Sequence, residues 1–249
     1  MDDSTYLLAH RAVWQNKPIL RRIYTEQFYR RLLDNRVAGD TLEIGSGPGF
    51  MREIDPAVIR TDIVPSTFVS AVVDGHRLPF GDEQFANVVM LDVLHHINRP
   101  IVLLHELSRV LKVGGRIIMV EPWITPFSTF VYTYLHQEVC NLTVEPWRES
   151  EQFTQGKRAF DGNAAIPYRL FVTGWQQAQV QLPQLQLVEI EQFSWLTYLL
   201  SFGFKPINAL PMGLYDFTYR LEQQSLTGLG NWISLRAKVI LQKSPHQVR

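Results

Sequence analysis

Seven residues, Phe85-Ala86-Asn87-Val88-Val89-Met90-Leu91, constrain the fold of this chain more than any other stretch. The run is apolar at nearly every position, so as a strand it presents two apolar faces. Both need cover, and that is the setting of a parallel sheet lying between helical layers. The neighbouring sequence repeats the theme. Thr41–Ile44, Val58–Ile63, Val69–Val73 and Arg116–Glu121 read as further short strands, separated by turn residues and helical patterns. After Pro100, the residues Leu103, Leu104, Leu107, Val110 and Leu111 recur at helical spacing, and this helix is expected to stop at Gly114-Gly115. Strands alternating with helices give a doubly wound α/β sheet, and such sheets bind ligands beyond the carboxyl ends of their strands.

The flanking regions differ in texture. Residues 5–38 read as helical, with Pro18 suited to a helix start and Ile19, Ile23, Phe28, Leu32 and Leu33 forming an apolar stripe. Residues 123–234 hold 20 of the 29 aromatic residues in 45% of the chain. Within and after them, Leu185–Phe193 and Ser234–Gln242 read as strands that add an antiparallel edge to the same sheet, with 194–233 inserted between. The expectation is therefore a mostly parallel seven-stranded sheet in one domain over 1–249. An N-terminal helical segment spans 1–38, a core 39–122, a helical and aromatic elaboration 123–234, and a last strand and tail 235–249.

Composition excludes several roles. The 24 Lys and Arg balance 24 Asp and Glu, which removes the charge excess of a dedicated nucleic-acid binder. Cys140 is the only cysteine, so neither an intrachain disulfide nor a cysteine-rich metal cluster forms. The start, Met1-Asp2-Asp3-Ser4, is acidic where a signal peptide is basic, and an apolar run such as Leu196–Phe204 falls far short of the roughly 18 residues of a spanning helix. The reading is a soluble cytoplasmic protein. Arg21, Arg22, Arg30 and Arg31 are read as a solvated face, which leaves weak peripheral membrane contact open, as it leaves the oligomeric state.

The strongest chemical signal is Glu43-Ile44-Gly45-Ser46-Gly47-Pro48-Gly49, at the end of the first strand. Glycines there allow a sharp turn and close approach of the backbone to a ligand. A dinucleotide fingerprint would need a third glycine where Phe50 stands, and no Gly-Lys-Ser/Thr follows for a phosphate loop. A carboxylate two residues before the first glycine repels phosphate and favours a cationic ligand. Asp62, at the end of the second strand, is placed to accept from both hydroxyls of a ribose. Asp74, at the end of the third, is placed either for an adenine amino group or as a turn residue before Gly75. Three carboxylates match a ligand with an amino-acid head, a ribose and an adenine but no phosphate.

These segments resemble the class I methyltransferases that use S-adenosylmethionine, in particular the type-11 group related to quinone-biosynthesis methylases. The resemblance rests on Leu42–Gly49, Thr61–Pro65, Asp74–Phe80, Phe85–Ile97 and Glu106–Gly115, about a third of the chain. It implies a Rossmann-like fold, S-adenosylmethionine as cofactor and methyl transfer to a small-molecule acceptor. It also implies that Gly45, Ser46, Gly47 and Gly49 pass under the methionine part with Glu43 nearby, that Asp62 holds the ribose, and that Ile63 flanks the adenine. Asp74, Gly75 and His76 would reach the adenine rim, and Leu91 and Asp92 the methyl. The sequence departs from the pattern at Ala86, where an Asp is common, and at Pro56, which shortens the helix after the loop.

Catalytic candidates are His95, His96 and Glu121, each with a plain alternative: packing beneath the cofactor for the histidines, a strand-end cap for Glu121. Asp92 reads equally as a ligand contact and as a helix N-cap. His136 and Glu138 fall two apart on an expected helix Phe127–Val139, on different faces, and no other cluster shows metal-ligand spacing, so no metal is expected. The same pocket would also serve a non-catalytic protein binding S-adenosylmethionine or S-adenosylhomocysteine, or a non-methylating enzyme on the same fold. The aromatics of 123–234 point to an acceptor with apolar or ring character.

Overall fold

Successive side chains of a strand point to opposite faces of its sheet, and here both sets are apolar. In the computed structural model, which describes residues 2–135, 138–148 and 159–245, β4 (Phe85–Leu91) sends Val88 and Met90 to one face and Val89 to the other. β5 (Leu111–Pro122) likewise splits Ile117 and Met119 from Ile118 and Val120. Both sets are buried, as the apolar run requires. With β1 (Thr41–Ile44), β2 (Ile59–Asp62), β3 (Ala71–Val72), β6 (Leu185–Phe193) and β7 (Arg236–Lys243), they form a seven-stranded sheet in the order β3-β2-β1-β4-β5-β7-β6. β1 to β5 pair in parallel. β7 runs antiparallel to both β5 and β6, so the reversed strand lies inside the sheet and β6 forms the edge.

One face is covered by three helices: α4 (Pro100–Val110), α6 over 166–173 and α7 (Trp175–Gln181), through Leu103, Leu104, Leu107, Leu170 and Ala178. The other is covered by α1 (Asp3–Asn16) and by α2 over 18–33, which opens at Pro18 and contains a π-helical turn at Tyr24–Tyr29. Ile19, Ile23, Phe28 and Leu32 carry the predicted stripe into this layer, with Leu33 packed against it, and Leu20 and Tyr215 of α9 (Tyr215–Ile233) join them. α3 (Met51–Ile54) is a single turn, as Pro56 dictates. The remaining helices are α5 (Pro126–Tyr134) and α8 (Leu196–Ser201).

Several boundaries differ from the sequence expectation: β2 is shorter by a residue at each end, β3 keeps only Ala71–Val72, β7 is shifted toward the C-terminus, and two helix ends move. α4 ends at Val110, not at the glycine pair. Leu111 is already in β5, fully buried and paired with Phe85, and the register then shifts to Asn87 opposite Arg116. The burial of Leu111 in the sheet outweighs one more helical turn, and the glycines serve the bulge, where Gly114 has φ +80°. α5 starts from a reciprocal Thr125–Ser128 capping box but ends at Tyr134, short of Val139. Val139 instead bridges Asn163 in extended form. His136 lies outside the described residues. Among the described residues no helix is long and apolar enough to cross a membrane.

Candidate active site

The loop after β1 needs its glycines. Gly45 has φ +70°, and a Cβ on it would fall 2.5 Å from Cγ2 of Val93. At Gly49, φ is +73° and a Cβ would meet Phe68 Cβ at 2.6 Å and its carbonyl oxygen at 2.9 Å. The turn is held from below by Ser46 N–H donating to Thr61 O at 2.9 Å. From above it is covered by α1, whose Arg11 donates to Pro48 O at 2.8 Å and whose Trp14 stacks on Phe50 at 4.1 Å.

The carboxylates around this loop have distinct partners. Glu43 is 3% exposed and accepts from the Ser46 hydroxyl at 2.6 Å. Burial lifts its pKa to about 7, against the Ser46 bond and the Arg60 charge that favour the ionised form. Asp62 accepts from Gly47 N–H at 2.7 Å and Val64 N–H at 2.8 Å, tying the end of β2 to the glycine turn. Burial raises its pKa, with these amides pulling the other way. Asp74 closes a tight turn: its Oδ1 accepts from His76 N–H at 2.9 Å and meets His76 Nδ1 at 2.8 Å. Gly75 packs against α4, where a Cβ would reach Leu103 at 2.8 Å, and Ile63 is 57% exposed.

At the end of β4 the chain takes a left-handed step at Asp92, φ +57°. Asp92 is not a helix cap. The cap position of the short turn Leu94–His96 falls on Val93, and the Asp92 carboxylate pairs with Arg236 of β7. Burial raises the Asp92 pKa, opposed by the Arg236 charge. Arg236 is itself buried, donates to the Tyr198 hydroxyl at 3.0 Å and lies over the Tyr198 ring. Glu121 is wholly buried and turned away from any acceptor. One of its oxygens accepts from Val93 N–H at 3.0 Å and Leu94 N–H at 2.7 Å, and the other meets His95 Nδ1 at 2.7 Å. Its role as a group facing the acceptor is thus replaced by one of orienting His95. On the opposite side of that ring, Nε2 lies 3.4 Å from Glu138. Burial disfavours the imidazolium, but the bonds to Glu121 and Glu138 outweigh it and lift the His95 pKa to about 10. The His96 ring lies against His95 at 4.0 Å.

One cavity of about 1050 Å³ joins these parts. Glu43, Gly45, Ser46, Gly47, Leu91, Asp92, His95 and His96 line it, whereas Gly49, Asp62, Ile63, Asp74, Gly75, His76 and Glu121 stand behind or beside its walls. Apolar and aromatic side chains line it as well, among them Val131, Leu135, Phe160, Leu199 and Phe204, with Phe204 stacked on Phe50 next to the glycine turn. Sequence reasoning missed Arg236 and Tyr198, and it weighed Glu138 only as a partner of His136, not of His95. Only Arg236 carried a local signal, as a charge at the start of a strand with an apolar centre, Val239–Leu241.

Residues 42–119 match a family described as a methyltransferase domain. A demethylmenaquinone methyltransferase of Streptomyces griseus is 44% identical over 69 residues, 26% of this chain and 30% of that protein. One from Mycobacterium sp. strain KMS is 27% identical over 112 residues, 43% of this chain and 49% of that protein. The chain thus spans less than half the length of these curated relatives in the matched regions. Among solved structures, a SAM-dependent methyltransferase from Archaeoglobus fulgidus superposes with TM-score 0.51 at 14% identity, covering 90% of this chain and 93% of that one. A geranyl diphosphate C-methyltransferase from Streptomyces coelicolor gives TM-score 0.50 at 13% identity, covering 94% and 83%. At such identity the structural likeness establishes the fold.

Proposed function

We propose, for a chain whose core over 42–119 belongs to the class I methyltransferases of the type-11 group, that its cleft transfers a methyl group from S-adenosylmethionine to a small or medium-sized acceptor with an apolar or ring-containing body. The observation that carries this reading is that one cavity is lined both by the glycine turn and by aromatic and aliphatic side chains. Its volume, about 1050 Å³, lies at the upper end of ligand pockets and suits two molecules placed end to end.

The residues present fit the donor. Gly45 keeps the backbone bare where any side chain would collide with Val93, and Glu43 offers negative charge to a cationic ligand beside it. Asp62, already fixed by two backbone amides, retains lone pairs for ribose hydroxyls. Ile63, exposed beside it, flanks the adenine, with Asp74, Gly75 and His76 at the rim. When bound, S-adenosylmethionine supplies a methyl made electrophilic by its sulfonium. The chain's own contribution is then to align the acceptor and keep the cleft dry; orientation of this kind supplies about 7–11 kcal/mol in favourable intramolecular cases. An oxygen or nitrogen acceptor has a proton to lose, and of the two histidines in the wall His96 is the one to take it, since His95 is held charged between Glu121 and Glu138. Glu121 fixes the ring of His95.

The curated relatives are named for demethylmenaquinone, so a quinone-like acceptor is the first to test. Calorimetry with S-adenosylmethionine and S-adenosylhomocysteine tests the donor site. Radiolabelled methyl transfer to a demethylated quinone, and to a small-molecule extract, tests turnover. Saturable donor binding with labelled product supports the reading. Tight binding with no product from any acceptor pool would replace the enzyme with a binding protein, and no binding would defeat the donor assignment itself.

A further inference from the structure

We propose that the acceptor end of the cleft holds one divalent first-row transition-metal ion on His95, His96 and Glu138. A ring nitrogen of each histidine and a carboxylate oxygen of Glu138 lie within 4.8 Å of one another, and all three residues line the cavity. Asp92, His95 and Glu121 also cluster. There, however, Asp92 is spent on Arg236 and Glu121 on two backbone amides, so that grouping has little left to offer an ion.

The His95–His96–Glu138 grouping is held together from three separate stretches of chain. Asn163 N–H donates to His95 O at 2.8 Å, and Ala164 N–H donates to Val139 O at 2.9 Å. Asn163 also exchanges side-chain bonds with the backbone of Asn141, at 2.9 and 3.2 Å. The residue over the histidines must be glycine: a Cβ on Gly162 would fall 2.7 Å from His96 Nδ1 and 2.9 Å from His95 Cδ2. The second observation is the partner behind the first. Glu121, wholly buried, binds His95 Nδ1 at 2.7 Å. A carboxylate on one ring nitrogen fixes the tautomer and turns the other nitrogen outward as a donor, the arrangement that supports metal-bound histidines. Nε2 of His95 faces Glu138 at 3.4 Å, and an ion bound there would displace the proton that the two share.

Two imidazoles and one carboxylate select zinc-, cobalt-, iron- or manganese-class ions and leave positions open, whereas magnesium and calcium prefer oxygen ligands throughout. The open side is the cavity. There the ion would take an oxygen of the acceptor and favour its deprotonated form, which narrows the acceptor to one with a hydroxyl or enolic oxygen beside its ring. That role rests on the methyl-transfer reading; the ion site itself does not.

The test uses tag-free protein stripped with a chelator and titrated with Co²⁺ alone. The expected result is a d–d absorption band that saturates at one equivalent, is displaced by Zn²⁺ and is untouched by Mg²⁺. Glu138→Gln and His96→Asn should each weaken Co²⁺ binding about tenfold or more, by the scale of lost metal-site contacts. His105→Asn, at an exposed histidine of α4, should leave it unchanged. Circular dichroism confirms that each variant is folded. No one-equivalent site in the wild type, or affinity undisturbed by Glu138→Gln, overturns the proposal. S-adenosylhomocysteine binding, measured on the same samples by calorimetry, separates the two claims. Its loss with Co²⁺ binding intact defeats the methyl-donor reading, and the converse defeats the ion.

Discussion

Replacing Gly45 with alanine puts the geometry of the glycine turn to a quantitative test. Two costs are separable. Gly45 has φ +70°, and a left-handed conformation costs a side-chain-bearing residue about 1–2 kcal/mol. Independently, the new Cβ would lie 2.5 and 3.2 Å from the two Cγ atoms of Val93, which is buried and cannot simply move aside. Such overpacking costs about 1–3 kcal/mol. Gly45→Ala should therefore destabilise by about 2–5 kcal/mol, a fall in thermal midpoint of about 5–15 °C for a chain of this size. Val93→Ala alone removes two methyl groups and should cost about 2 kcal/mol. In the double variant the added methyl occupies the space those groups vacate, and only the backbone strain and a residual packing loss remain. The double-mutant cycle, read by urea denaturation, should show the pair cheaper than the sum of the singles by about 1–3 kcal/mol. Strict additivity would refute the steric argument. A Gly45→Ala protein of unchanged stability would refute both terms.

Three further outcomes follow from the site and its surroundings. Lys17 is buried, and its ammonium donates to the carbonyls of Ser201, Gly203, Lys205 and Ile207. Lys17→Met leaves these oxygens without a partner and should cost about 3 kcal/mol, or about 6–12 °C in thermal midpoint by calorimetry. Glu43 gives a pH signature. Its pKa rises from 4.5 to about 7 on folding, through burial, with Arg60 opposing and Asp62 adding to the shift. Between those values the folded state holds a proton that the unfolded state releases, so stability falls as pH rises and levels off above pH 7. The loss, about 3 kcal/mol, should vanish in Glu43→Gln when urea midpoints at pH 5 and pH 8 are compared. Asp62→Ala should weaken S-adenosylhomocysteine binding by about 10–100-fold, the scale of a lost charge-assisted hydrogen bond; unchanged affinity by calorimetry would remove the ribose from this position.

The parts of the fold that were legible are those whose signal is local. Phe85–Leu91 and Leu185–Phe193 have the bounds expected of them, because burial on both faces, or flanking turn chemistry, is written within each segment. Pro18 opens α2 as its fixed φ requires. Helix ends were less legible. Whether Leu111 continues α4 or enters β5 depends on Phe85 waiting across the sheet, a partner 26 residues upstream that no helical periodicity reports. The same holds for α5, whose amphipathic pattern runs on past Tyr134 while the chain is drawn instead into the bridge between Val139 and Asn163.

The candidate site divides along the same line. Its donor end is built by one turn and two strand ends, where glycine and carboxylate must stand at fixed offsets for the backbone to turn, so motif spacing suffices to find it. The rest of it is built by pairs far apart in sequence: Asp92 with Arg236, 144 residues away, and His95 with Glu121, 26 away. Arg236 reaches Asp92 because antiparallel register sets it opposite Pro122 of β5 and Phe193 of β6, at the carboxyl end of β5. A one-residue slip of β7 would send that guanidinium to the other face of the sheet. Such a slip would also leave Asp92, a quarter exposed in the cavity wall, without its cation. The ion pair therefore helps to lock the register of β7, and with it the position of Leu235 in the cavity wall. The shape of the cavity accordingly depends on strand register as much as on the identity of the lining residues.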